Sequence, residues 1–163
     1  MKSISEYIMK HLNEALGTEL ATPANTGCQS NGFCILKPQF MNYKDDFLSM
    51  LNDNGWTIQQ SSCRKLTRNE AEQLYKSLAK KDFYNDLCDY MICDDCLCCA
   101  CHKDCKDPVG DLKQLKHGFR DKYGIDEMRN GMHSSDNAKN VDREIEIVFG
   151  KKLDKNVKQI KNR

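Results

Sequence analysis

His133 lies in the run Arg129-Asn130-Gly131-Met132-His133-Ser134-Ser135-Asp136, which is followed by Arg143-Glu144-Ile145. The run reads as a tight turn leading into a helix from Asp136 to Phe149, a place where backbone N–H groups and the helix dipole favour phosphate oxygens. Imidazole, with an ordinary pKa of roughly 6.5, is largely neutral at pH 7 and needs no strong base to act as a nucleophile. One ring nitrogen must be held while the other attacks. Glu144, on the following helix, is the carboxylate that can turn back to fix the tautomer and stabilise a phosphorylated, more cationic ring. The plainer alternative is a helix N-cap, with Ser135 or Asp136 capping and His133 exposed beside it. A turn side chain contributes little to a core, so replacing His133 is expected to leave folding near normal.

A second group of reactive side chains sits upstream. The chain has ten cysteines, and most lie between Cys88 and Cys105, with Cys93-x-x-Cys96, Cys98-x-x-Cys101, His102 and Cys105 among them. Such spacing suits tetrahedral zinc, and the set best placed to converge is Cys93, Cys101, His102 and Cys105, at strand ends. Against this, Cys96 to Cys101 reads as a core strand, in which neighbouring side chains point to opposite faces. Free cysteine also packs as a small apolar side chain. Buried, reduced thiols are the preferred reading, with a structural zinc site as the alternative.

The chain's bulk properties exclude several classes. Its 163 residues fit one domain, and 25 basic against 24 acidic side chains imply neither a nucleic-acid nor a membrane partner. Mean hydropathy is −0.72 and no long apolar run is present, which argues against a transmembrane helix. Met1-Lys2-Ser3-Ile4 opens no apolar signal region, so a cytoplasmic protein is expected.

The elements that must position His133 follow from periodicity. Ile4, Ile8, Leu12, Ala15 and Leu16 predict an amphipathic helix ending at Gly17, and the turn-rich stretch from Thr22 to Gly27 reads as a linker. The organisation expected is a helix and linker over 1–30, a catalytic domain over 31–150 and a basic tail over 151–163. Gly32 to Lys37 reads as a central strand buried on both faces. A helix from Asp45 stops at Asn54-Gly55, and Trp56 to Leu66 alternates as a half-exposed strand. Thr67-Arg68-Asn69-Glu70 is a capping box opening a helix through Leu78. A helix from Asp82 to Met91 follows, then the cysteine strand, a short helix from Asp111 to Phe119, a strand edge from Arg129 to Met132, the His133 turn and the last helix. This order predicts an α+β fold: a ferredoxin-like α/β sandwich with a four-stranded antiparallel sheet covered by helices.

From Phe33 to Phe149 the chain resembles the nucleoside diphosphate kinase family, whose signature reads Arg-Asn-x-x-His-Gly-Ser-Asp-Ser with Glu-Ile downstream. The resemblance implies that His133 is transiently phosphorylated, that Glu144 orients it and that Ser135 supports it. It further implies that Lys37 contacts ribose and phosphate, that Tyr75 stands near the histidine and that Phe83 stacks on the base. Arg120 would bind phosphate and Asn130 the sugar, while Arg129 reads as a structural partner. The activity implied is transfer of a γ-phosphoryl group from a nucleoside triphosphate to a nucleoside diphosphate, with Mg²⁺ on the phosphates and low base specificity. Whether the chain forms a homo-oligomer is left open.

The pattern breaks in places. Ser134 stands for the glycine after the histidine, Asn137 for the last serine and Gln39 for an aspartate after Lys37-Pro38, and Asn42-Tyr43 must make a shortened turn. The segment between the cysteine strand and Arg120 is too short for the family's helix, its second phosphate-binding arginine and its long loop. Loss of the loop is favoured, with Lys113 or Lys116 supplying the charge. These departures leave two rivals: a nucleotide-binding module of the same fold with weak or no turnover, and a zinc-binding interaction protein built on the cysteines.

Overall fold

The computed structural model describes residues 30–150. The predicted N-terminal helix and linker and the basic tail lie outside the described residues. Strands β1 (Asn31–Leu36), β2 (Thr57–Arg64), β3 (Cys96–His102) and β4 (Met132–Ser134) form one sheet in the order β2-β3-β1-β4, with all pairings antiparallel. Five helices accompany them: α1 (Lys44–Asp53), α2 (Arg68–Leu74), α3 (Tyr84–Met91), α4 (Pro108–Tyr123) and α5 (Ala138–Phe149). The architecture is the ferredoxin-like α+β fold predicted from the order of elements.

Side-chain alternation along the two central strands divides the interior. Phe33 and Ile35 of β1, with Cys96, Cys98 and Ala100 of β3, pack beneath α2, α3 and α5. Cys34, Leu36, Leu97, Cys99 and Cys101 face the other way, toward Phe47 and Leu51 of α1 and Leu112 and Phe119 of α4. From Phe33 to Leu36 and from Cys96 to Cys101 the strands are apolar because both of their faces are covered. The edge strand β2 instead alternates exposed and half-buried positions.

This division decides the zinc question. Cys93 precedes β3 and is exposed, whereas Cys101 lies near its far end, buried, with its thiol donating to the Gly32 carbonyl at 3.4 Å. The strand between them spans roughly 15 Å or more at ~3.3 Å per residue. His102 is occupied by Asn31 and Asp104. Cys93, Cys101, His102 and Cys105 therefore do not converge, and among the described residues no group of three or more His, Cys, Asp or Glu side chains could hold a metal.

Several boundaries moved, each for a local reason. Trp56 is not part of β2; its ring is buried and its indole N–H donates to Asp111 at 2.7 Å, which takes it out of the alternating pattern. The capping box forms as predicted, with Thr67 and Glu70 each bonding the other's backbone N–H, but α2 ends at Leu74 and passes through a 3-10 turn at Lys76–Leu78. The predicted Asp111 to Phe119 helix runs from Pro108 to Tyr123, because Asp107 caps it at Gly110 and Pro108 suits a first helical turn. Arg120 is thus a helical residue, and the loop between α4 and β4 has shortened to 124–131. Near β1, Met41–Tyr43 forms the expected tight turn, and the Tyr90 hydroxyl donates to the Pro38 carbonyl at 2.6 Å, tying down the loop that contains Gln39.

Candidate functional site

The largest correction concerns His133 itself. It occupies β4, directly opposite Ile35 of β1, and is only 9% exposed. Helix α5 begins later, at Ala138, and Asn137 caps it by accepting from the Asn140 N–H; neither Ser135 nor Asp136 is the cap. The imidazole therefore takes its position from the sheet, flanked by Phe33 and Tyr75 in edge-on ring contacts. A strand edge is a more rigid mount than a turn.

Glu144 turns back from α5 as expected. The carboxylate is 3% exposed and its Oε1 accepts from His133 Nε2 at 2.8 Å. The Ser135 hydroxyl donates to the other oxygen, Oε2, so both carboxylate oxygens are engaged. With Nε2–H given to Glu144, Nδ1 carries the lone pair. The Tyr75 hydroxyl lies 3.5 Å from it, the outer limit of a hydrogen bond. Burial and the Glu144 charge push the Tyr75 phenol well above its ordinary pKa, so it remains a neutral donor.

This ring borders a cleft of about 330 Å³ between α2, α3, α4 and the sheet edge. Lys37, Tyr75, Phe83, Lys113, Arg120 and Asn130 line it, as do His133 and Glu144, so the structure brings together nearly every residue singled out from the sequence. Ser135 stands behind the wall, touching the cleft only through Glu144. Arg129 pairs with Asp126 at 2.8 Å, in keeping with a structural part.

Cations cluster in the lining of the cleft. Lys37 is 3% exposed and donates to the Met128 carbonyl at 3.3 Å, while Arg120 Nε donates to the Met132 carbonyl at 3.1 Å. Lys116 is also buried, and its nearest acid is Asp136 at 4.0 Å. Burial, then repulsion from Arg120, pushes the Lys116 ammonium down to about 8. Lys37 is lowered well below its ordinary value by burial and by the charges of Arg120 and Lys116. Clustered like charges in a dry wall are unfavourable until an anion meets them.

Of the two lysines the sequence offers as the replacement cation, Lys116 is buried in the wall, while Lys113 is exposed at the rim. Lys113, Lys116, His117 and Arg120 fall on one face of α4, at the spacing that makes helical residues neighbours. The predicted helix held the first three of these but ended at Phe119, which left Arg120 off that face. Glu127, Ser134 and Arg143 also line the cleft and had not been assigned to it. Arg143 donates to the Gln73 carbonyl at 2.7 Å, joining α5 to the end of α2.

A family model described as nucleoside diphosphate kinase matches residues 30–153. Thioredoxin domain-containing protein 6 of Xenopus laevis is 28% identical over 127 residues, which make up 71% of this chain and 20% of that protein. Nucleoside diphosphate kinase homolog 7 of Rattus norvegicus is 24% identical over 128 residues, 71% of this chain and 32% of that protein. The chain thus spans a third or less of the length of these curated relatives. Among solved structures, the nucleoside diphosphate kinase of Aquifex aeolicus superposes with a TM-score of 0.68 at 18% identity, covering 74% of this chain and 94% of that one. The apo enzyme of Encephalitozoon cuniculi gives 0.69 at 21% identity, covering 74% and 89%. At these identities the superpositions establish the shared fold. Among the described residues, no helix is long and apolar enough to cross a membrane.

Proposed function

Because the chain belongs to the nucleoside diphosphate kinase family, we propose that it transfers the γ-phosphoryl group of a nucleoside triphosphate to a nucleoside diphosphate through a phosphohistidine on His133. The observation that carries this reading is an imidazole with one nitrogen held by a buried carboxylate and the other bordering a cleft lined by two buried lysines and the half-buried Arg120.

The chemistry follows from the geometry. The Nδ1 lone pair attacks the γ-phosphorus, an N–P bond forms, and the bond to the β-phosphate oxygen breaks, releasing the nucleoside diphosphate. Glu144 keeps the Nε2 proton and balances the charge that grows on the ring. A β-phosphate oxygen of a second nucleoside diphosphate then attacks the phosphorus, and Nδ1 recovers its lone pair. Lys37, Lys116 and Arg120 neutralise phosphate charge, with Lys113 at the rim; Phe83 offers a face for the base and Asn130 meets the sugar. Mg²⁺ on the phosphates would offset their charge, and the half-buried Asp136 carboxylate in the cleft wall suits an ion held mainly by phosphate oxygens and one or two acids.

Incubation with γ-labelled ATP is expected to leave acid-labile label on His133 and to support exchange with a different nucleoside diphosphate. His133→Gln, which can still bond Glu144, is expected to abolish both while staying folded. Intact wild-type protein that binds nucleotide but takes no label would leave the non-catalytic binding module in its place.

A further inference from the structure

Among the described residues, three buried side-chain polar atoms have no hydrogen-bond partner: Glu127 Oε2, Asn130 Oδ1 and Ser134 Oγ. All three residues line the cleft. A buried acceptor left unpaired is costly, and such atoms are uncommon in native structures. Their confinement to one cleft points to a ligand group that satisfies them.

The chemistry of these atoms narrows what that group can be. Asn130 Nδ2 donates to the Glu127 carbonyl at 2.6 Å, which fixes the orientation of the amide and leaves its oxygen as the unpaired atom. Asn130 Oδ1 and the Glu127 carboxylate are therefore both acceptors, carried on one turn of the loop between α4 and β4. Phosphate offers ionised oxygens and would be repelled here. Its place is beside the cations, Lys116 and Arg120 of α4 with Lys37, rather than on these acceptors. The loop end must take the part of a nucleotide that carries O–H or N–H donors. Two acceptors on one turn suit two neighbouring hydroxyls, and carboxylate-to-ribose pairing is a recurrent solution in nucleotide sites.

We infer that Glu127 is a specificity residue which, with Asn130, accepts hydrogen bonds from the ribose hydroxyls, so that the cleft takes ribonucleotides in preference to 2′-deoxyribonucleotides. This rests on the nucleotide-exchange reading and adds to it a discrimination at the sugar. The base, lying against Phe83 by its face, is left largely unread.

Binding of ADP and 2′-deoxy-ADP by calorimetry tests the inference without requiring turnover, while γ-labelled ATP tests the exchange reading separately on the same preparation. The wild type is expected to bind ADP about tenfold more tightly than 2′-deoxy-ADP, the factor a hydrogen bond to a charged acceptor supplies. Glu127→Ala should bring the ratio near one, and Glu127→Gln, which keeps an acceptor oxygen, should restore part of it. Equal binding of the two ligands by the wild type, or an unchanged ratio in Glu127→Ala, overturns the inference even if His133 takes label. Comparison of GDP with IDP covers the other source of donors: a change confined to that pair assigns Glu127 to the base edge and overturns the ribose assignment. Protein that binds no nucleotide refutes both readings.

Discussion

Lys116 shows how a single side chain can work against the fold and for the site. Its ammonium is 6% exposed, lies at 4.0 Å from Asp136 and is pushed down to about 8 by burial and by Arg120. Below about pH 8 both folded and unfolded chains carry the proton, and the full penalty of burying the charge is present. Between about 8 and lysine's ordinary 10.5 the unfolded chain binds more protons, so stability rises with pH across that window. Lys116→Met should therefore raise the melting temperature of the empty protein at pH 7 while weakening nucleoside triphosphate binding about tenfold or more, the value of a charged hydrogen bond. In the wild type, affinity for nucleotide should fall as pH rises through 8, and Lys116→Met should flatten that profile; calorimetry across pH 6.5–9 reads it. His133 illustrates the converse. Its substitution by alanine would strip a partner from the buried Glu144 and leave a void in a strand, so His133→Ala is expected to cost about 1–3 kcal/mol of stability, contrary to what an exposed turn residue would cost. A two-wavelength urea titration distinguishes that loss from the folded but inactive His133→Gln.

At the scale of elements, α4 and the loop after it set the width of the cleft. Gly131 closes that loop at φ 96°, a conformation that favours glycine, and a Cβ there would stand 2.8 Å from the Phe119 ring. Its carbonyl also accepts from the Lys37 N–H at 2.8 Å, so the turn joins β1 to the segment carrying Asn130 and His133. Gly131→Ala is expected to destabilise by about 1–3 kcal/mol, lowering the melting temperature by roughly 3–10 °C, and to weaken nucleotide binding along with it. A thermal scan with and without ADP measures both. These elements also mark the limits of the sequence as a guide. The central strands, the capping box at Thr67 and the stop at Gly55 were legible because apolar runs and cap chemistry are local. The strand position of His133 was not, since β4 is short and is defined by its pairing with Ile35, nor was the helical position of Arg120, since a helix continuing through Lys122 depends on what its other face packs against. The site residues were recognisable one by one; the unpaired acceptors on Glu127 and Asn130 exist only in three dimensions.

For the molecule as a whole, the sheet is a partition between two cores, and the cysteines are distributed across it. Cys96 and Cys98 face the core beneath α2, α3 and α5, with their sulfurs 3.8 Å apart, whereas Cys34, Cys99 and Cys101 face the core beneath α1 and α4. Cys34 and Cys99 are paired in register across β1 and β3; contact with the Cys101 thiol and burial hold Cys34 well above the ordinary thiol pKa, and contact with Cys34 and burial do the same for Cys99. Such thiols present almost no thiolate and no surface to a reagent, which makes them apolar packing rather than ligands or redox centres. Cys63 and Cys93 are exposed and Cys105 is half-buried. Brief alkylation of the native protein should therefore modify Cys63 and Cys93 first among the described cysteines, Cys105 more slowly, and Cys34, Cys96, Cys98, Cys99 and Cys101 only at the rate of global unfolding. Peptide mass spectrometry over a time course, repeated after dialysis against a chelator, reads this directly. A metal-stapled cluster would behave in the opposite way, with Cys93 and Cys105 protected until the chelator released them and with a melting temperature that drops on metal removal. A partitioned core predicts identical alkylation patterns and an unchanged melting temperature before and after dialysis, because the stability of this sheet comes from covering both of its faces.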